Sequence, residues 1–328
     1  MAITNAELVP YYARHRNQGD PTANGGRPSN NRILSGRENN IWPPLTTAQR
    51  AAGQTIAEKV YIQNRNASGD GASDPMIGCA APNPSDDVNW ITAATQDDMQ
   101  SDIASGARKY AAAKLAAAVS AGATSITLTL EPDLAGAFAS GDTVLIHDGA
   151  ADPTGTTVTR EFAVIDSVSG NALTLVSALA NAYPETGVCA SMHRPGGDWR
   201  PAVSGIQQSG AGSYDFTNHP LVLDNRGTIR QRWTLTYTGA TAGELSGDDL
   251  GSLGAFDLTA DLAPLGPEGY PYFTLAAAGH GDAHVAGDTM IFETLAAVIP
   301  VWWFKKTPAG SAAPELVAPA LIWFTESA

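Results

Sequence analysis

Apolar and polar residues alternate over short stretches through most of the chain, and this period of two predicts a mainly β protein. Between residues 122 and 192 the candidates are "TSITLTL", "DTVLIHD", "TREFAVIDSV", "ALTLVSAL" and "GVCASMH", separated by "SGD", "DGAADPTGT" and the hairpin signal "SGNA". Strands at that spacing predict a small β-barrel or sandwich module in the middle of the chain. Residues 193–328 repeat the pattern in "HPLVLD", "RQRWTLTYTG", "GYPYFTLA", "DTMIFETL", "VIPVWWFKKT" and "PALIWFTE" and predict a C-terminal β-rich domain. Trp199, Trp233, Trp302, Trp303 and Trp323 all fall there, where aromatic residues in strands form a core or, exposed, a carbohydrate-stacking platform.

The pattern fails at the N-terminal end. Residues 1–45 are rich in Gly, Asn, Pro and Arg, as in "RNQGDPTANGGRPSNNR", and their apolar positions recur at neither period. They are expected to form an extended docking arm with one short strand near Asn31 to Ser35. In residues 46–121, Thr46 or Thr47 caps a short helix through "AQRAAG" that Gly53 ends, and "EKVYIQNRN" reads as a half-buried strand. Residues 66–100 read as a long loop with a strand at "VNWITAAT", and the alanine-rich "ASGARKYAAAKLAAAV", 104–119, predicts a helix. This region is expected to pack with the C-terminal domain, so that a second β-rich domain is built from N- and C-terminal segments.

With 328 residues and 43% hydrophobic content the chain can bury substantial cores. Its net charge of −14 argues against a protein that grips phosphate backbones, and no specific nucleic-acid binding is expected. The charge is uneven: Arg14, Arg16, Arg27, Arg32, Arg37, Arg50, Lys59 and Arg65 face only Glu7, Asp20, Glu38 and Glu58 within residues 1–65. That part is therefore about +4 and the remainder about −18. A basic arm on an acidic body suits electrostatic docking onto another copy or an acidic partner; solubility alone is the plainer reading. Cys79 and Cys189 lie far apart with no ligand-spaced neighbours and are expected to be free rather than a disulfide framework. "MAITNAELV" lacks the features of a signal peptide, and no run of about 18 apolar residues suggests a membrane span.

The candidate chemistry is sparse. "GHGDAHVAGD" sets His280, Asp282, His284 and Asp288 close together, as a zinc or other transition-metal site would require. The alternative is a Gly-rich loop with solvated side chains: His280 and His284 share a face only on a helix, which the neighbouring glycines oppose. No metal and no cofactor is expected, His280, Asp282 and His284 being the candidates if one binds. There is no G-x-S-x-G elbow, neither cysteine has a histidine in a recognisable setting, and "GGDWRPAVSG" and "SGAGSYD" lack the lysine of a phosphate loop. The acidic pairs Asp86/Asp87, Asp97/Asp98 and Asp248/Asp249 point apart as adjacent residues and suit turns better than paired-acid catalysis. The chain is not expected to be an enzyme.

"RILSGRENNIWPPLTTAQRAAGQTIAEKVYIQNRN" resembles the N-terminal stretch of a group of tailed-bacteriophage virion proteins, in which Ser-Gly, Asn-Asn, an aromatic and a proline precede "R.AG.T...KV...N". "QRWTLTYTGAT", "GDDLGSLG", "DLAPLGPEGYPYFTL" and "GDTMIFETLAAVIPVWWFKKTPAG" resemble the closing segment of the same group, and the central strands resemble β-barrel modules of phage tail and baseplate components. In that group the loop matching Gly279 to Val285 carries Gly and Trp where this chain has His280 and His284, which favours the loop reading over a metal. The resemblance implies a structural protein of the virion, in the tail or baseplate, assembled in the host cytoplasm as a symmetric ring with copies of itself and other virion proteins.

Arg14, Arg16, Arg32, Arg37, Trp42, Pro43 and Pro44 are then the expected assembly contacts, Trp42 as an anchor held out by the two prolines and the arginines as steering charges. On that reading, removing residues 1–45 would leave the β body folded. The alternatives are a head-tail neck or capsid decoration protein of the same kind of particle, or a carbohydrate-binding or metal-assisted hydrolytic protein.

Overall fold

A computed structural model describes residues 5–37, 39–83, 85–312 and 320–326. The chain is mainly β, as its alternation predicts, with several sheets of which one closes into a six-stranded barrel. The main sheet has the order Asn24–Arg32, Leu8–Arg16, Gln54–Asn64, Val298–Thr307, Val88–Ala93, with every neighbouring pair antiparallel. Its centre is the long ladder from Val298 opposite Gln63 to Thr307 opposite Gln54, so a late strand of the chain completes a sheet begun by the first ones.

The expected extended arm is thus a β-hairpin that forms one side of this sheet. Of the strand expected at Asn31 to Ser35, only Asn31 and Arg32 are extended, as the end of a longer strand. The strand Asn24–Arg32 escapes the period-two rule because it sits at the sheet's edge, where backbone hydrogen bonds define it and its side chains are polar. Gly25 has φ of 115°, and a Cβ there would lie 2.7 Å from the Trp302 ring, so glycine is needed for the strand to cross that indole. Gln54–Asn64 departs from the half-buried expectation as well. It is covered on both faces, and Glu58 and Lys59, which point oppositely, are both fully buried.

Thr47–Ala52 is the expected short helix, capped by the Thr46 side chain with Gln49 closing the capping box and Gly53 ending it. The helix expected over 104–119 is absent: the segment turns at Gly106 and then supplies the strand Ala112–Leu115. Tertiary context overrides alanine's propensity here. The buried Ala111, Ala112 and Ala113 lie where the chain passes from the main sheet into the barrel, and only small side chains suit so close an approach.

That strand closes the barrel. Its six members, Ala112–Leu115, Ser125–Thr129, Thr143–His147, Arg160–Ser169, Ala172–Leu175 and Val188–Ser191, leave no free edge. Ile126, Leu128, Val144, Ile146, Ile165 and Leu173 fill its core. Residues 66–100, expected as mostly loop, hold a second strand, Ala72–Cys79, which pairs with Asp198–Trp199 and Leu321–Glu326 in a three-stranded sheet.

The remaining sheet has the order Ala202–Ser209, Thr289–Leu295, Gln231–Tyr237, Ala242–Gly247, Gly251–Asp257. Trp233, fully buried, stands at its core against Phe273 at 5.1 Å and donates from Nε1 to the Thr294 hydroxyl at 2.8 Å. Trp302 and Trp303 are buried in the main sheet and Trp199 and Trp323 are partly buried, so these aromatics serve packing rather than an open stacking platform.

Cys79 lies in the main core and Cys189 in the barrel; both are free and buried, and burial pushes the Cys79 thiol up to about 12. Native protein is therefore expected to leave a thiol reagent such as DTNB unreacted over minutes, and denatured protein to release colour from both cysteines. Fast labelling of the native chain would show that one of these cores opens.

Candidate functional site: the arginine seam and the anchored loop

The basic residues of the N-terminal hairpin reach acidic partners in the same chain. Arg16 donates from Nε to Glu58 Oε1 at 2.6 Å, and Gln18 donates to the other oxygen, so the buried carboxylate is held at both ends by the hairpin. Burial pushes Glu58 above the usual carboxylate range, and the Arg16 hydrogen bond works against that rise. On the opposite face, Lys59 Nζ donates to the carbonyls of Gly26 at 2.9 Å and Asp98 at 2.7 Å and pairs with Asp98 Oδ1 at 2.6 Å. Trp302 Nε1 donates to the second Asp98 oxygen at 2.9 Å, and the Tyr61 hydroxyl also donates to Gly26 O. Burial lowers the Lys59 ammonium from its ordinary value, with Asp98 opposing the shift.

Further out, the seam joins the hairpin to the C-terminal sheet. Arg14 pairs with Asp249, Arg27 forks onto Asp248 at 2.9 and 2.8 Å while reaching Asp97, and Arg32 faces Glu268 at 3.7 Å. Arg65 pairs with Glu268 too, and the Tyr11 hydroxyl accepts from Arg32 Nε at 3.0 Å and Arg65 Nη1 at 2.8 Å. A small cleft opens beside them, lined among others by Asn30, Gln63, Arg226 and Tyr270. Its arginines are already neutralised, Arg226 by Asp224 at 2.9 Å, so the arrangement clamps two parts of the fold together.

Trp42 is not held out. It is 6% exposed and meets Trp303 edge-on at 4.6 Å between ring centroids, with Lys305 Nζ 5.4 Å from its ring. The carbonyls of Asn40 and Ile41 accept from Arg16, and Ile41 O also from Gln18 at 3.0 Å, so the same hairpin side chains that hold Glu58 hold this loop. Of the expected contact set, Arg37, Pro43 and Pro44 are exposed, whereas Arg14, Arg16 and Arg32 are taken up by ion pairs within the chain; Leu34 beside them is 45% exposed as well. The sequence pattern points Trp42 outward, because Trp42 and Trp303, far apart in the chain, give no local signal of their contact.

His280 and His284 do come together, without a helix. His280 Nδ1 and His284 Nε2 share a hydrogen bond at 3.2 Å, and His284 stacks on Tyr237 at 3.6 Å. Asp288 faces His284 Nδ1 at 3.5 Å while accepting from the backbone N–H groups of Ala211, Gly212 and Val285, so it ties two loops together. Asp282 is exposed beside Ser213, and no three His, Cys, Asp or Glu side chains among the described residues are grouped to hold a metal ion.

Burial lowers His280 to about 4, with His284 adding to the shift; burial alone lowers His193 to about 4, and it lowers His147 and His284 as well. A base whose folded pKa is depressed takes up its proton more readily when unfolded, so the unfolded state gains as pH falls. Stability is expected to be full above pH 6.5, the ordinary histidine value, and to fall progressively towards pH 4. His193 alone accounts for a loss on the order of 3 kcal/mol. Denaturant midpoints measured across that window test this, and His193→Gln should flatten part of the slope; a flat profile in the parent protein would refute it.

No described helix is long and apolar enough to cross a membrane. No protein-family model matches the chain, and no curated protein matches it. Among solved structures, the tailspike protein gp49 from Pseudomonas phage LKA1 is 26% identical over a match covering 26% of this chain and 15% of that one, with a TM-score of 0.22. The tailspike gp61 from Pseudomonas phage phi297 is 24% identical, covering 25% of this chain and 14% of that one, with a TM-score of 0.21. The likeness to these phage tailspikes is local, and it describes neither chain as a whole.

Proposed function

We propose that this chain is a structural component of a tailed-phage particle, in its tail or baseplate, and that it assembles into a symmetric ring. The observation that carries the reading is the loop around residues 34–44. Its inner side is fixed by Trp42 and by the Arg16 and Gln18 hydrogen bonds, and its outer side presents Leu34, Arg37, Pro43 and Pro44. A loop anchored inward and stiffened by prolines loses little entropy when a partner covers it. The resemblance of "RILSGRENNIWPPLTTAQRAAG" to virion proteins falls on this same loop. Ring closure needs unlike patches to meet, and Arg37 on the loop of one copy facing the acidic body of the next provides such a pair, the net charge being −14.

The experiment is a particle reconstruction combined with an Arg37→Glu/Leu34→Asp variant. The chain should occupy a ring on the tail axis, and the variant should fold normally yet fail to enter particles. Normal incorporation of the variant would sink the loop's role, while density in a neck ring or at icosahedral positions would move the protein elsewhere in the particle.

A further inference from the structure

The strand Gly251–Asp257 is the last of the C-terminal sheet. Ala242–Gly247 pairs with it on one side, and no described strand pairs with the other. Its first half is bulged: the register shifts there, and Gly254 has φ of 96°. From Gly254 to Asp257 the ladder is regular, with Leu245 opposite Gly254 and Ala242 opposite Asp257. Proteins blunt such edges with lysine, proline or a covering segment. The stretch "GSLGAFD" carries neither residue.

Beside this edge runs the segment 261–265, and between the two lies a groove open to solvent. Leu245, Phe256, Leu262 and Tyr272 line it, and Leu265 at 63% and Leu250 at 42% exposure stand open at its sides. Its only charged lining residues are Asp257 and Asp261, both exposed. Each uses one carboxylate oxygen on a loop amide, Thr259 N–H at 3.0 Å and Ala277 N–H at 2.9 Å. The groove thus combines an open strand edge, exposed leucines at its sides and an acidic rim with no basic residue in its lining.

We propose that this groove docks an extended segment of a different protein, which adds a strand to Gly254–Asp257, sets alternate apolar side chains into the groove and places basic side chains over Asp257 and Asp261. Strand addition supplies main-chain hydrogen bonds, and the groove and rim supply selectivity. Charge and pattern argue against a second copy as the occupant. Arg14, Arg16, Arg27 and Arg32 of this chain are committed to ion pairs, and the exposed Arg37 stands in "SGRENN", which has no alternating apolar side chains to set into the groove. The inference stands apart from the particle reading, since it uses only this sheet edge.

The test titrates the full chain with three short peptides capped at both ends: alternating Lys and Val, the same peptide fully N-methylated on its backbone, and alternating Glu and Val. The first should bind with micromolar affinity, and the other two at least about tenfold more weakly. Asp257→Lys/Asp261→Lys, a surface change checked for normal thermal unfolding, should weaken the Lys/Val peptide by a similar factor. Ala255→Pro should do the same, provided it unfolds normally. Equal binding of the N-methylated peptide would reduce the effect to charge attraction and overturn strand addition; equal binding of the Glu/Val peptide would overturn the rim's role. Binding of none of the three, or dimerisation of the chain that the Lys/Val peptide abolishes, would overturn the assignment to a foreign segment.

Discussion

A chain lacking residues 1–45 is expected not to fold into a stable body. The deletion removes Leu8–Arg16 and Asn24–Arg32 from the main sheet and leaves Val60 to Asn64 of Gln54–Asn64 unpaired on that side. It strips both donors, Arg16 and Gln18, from the buried Glu58 carboxylate, and the Gly26 carbonyl from Lys59 and Tyr61, leaving Lys59 with Asp98 alone. Breaking one buried pair costs about 3–5 kcal/mol, and whole-domain stability is only about 5–15 kcal/mol. The truncated chain should therefore be recovered insoluble or without a cooperative unfolding transition, as circular dichroism on heating would show. A soluble truncation with a sharp transition near that of the full chain would mean that the hairpin is dispensable after all.

The second large effect concerns Trp42. Trp42→Ala empties a site between the loop and Trp303 and is expected to cost about 3–5 kcal/mol, as removal of a buried aromatic does. Arg37→Glu, a few residues earlier on the exposed side, should change stability by no more than about 0.5 kcal/mol. Denaturant unfolding of the two variants separates a packing residue from a surface residue in one experiment. If Trp42→Ala unfolded like the parent and only its assembly suffered, the indole would be an interface anchor and not a core residue.

Legibility in the sequence followed the source of order in each segment. Ser125–Thr129, Gln231–Tyr237 and Thr289–Leu295 alternate because one face meets a core and the other is more open, and that alternation is legible in the sequence. The N-terminal hairpin was not, because polar residues on an edge strand are ordered by backbone pairing, which leaves no mark on side-chain pattern. In "ASGARKYAAAKLAAAV" alanine's intrinsic preference points to a helix, whereas barrel closure makes Ala112–Leu115 a strand. Gln54–Asn64 hid in a different way: Glu58 and Lys59 suggest a solvent face, and only their distant partners Arg16 and Asp98 explain how both are buried. At the candidate site the loop 34–44 stood out by composition, but which side faced inward depended on Trp303, which no local rule connects to it.

The central ladder of the main sheet joins Gln54–Asn64 to Val298–Thr307, with the barrel and the C-terminal sheet between them in the chain. During synthesis the barrel has all six strands by Ser191, its first strand meeting its last, while Lys59 and Glu58 wait for Val298–Thr307 to cover their strand. The hairpin and the anchored loop take their final positions only when that late strand arrives. A chain that stops before Val298 therefore carries a complete set of barrel strands and a main sheet without its central ladder, and the loop proposed to meet neighbouring copies lacks the Trp303 ring behind its Trp42.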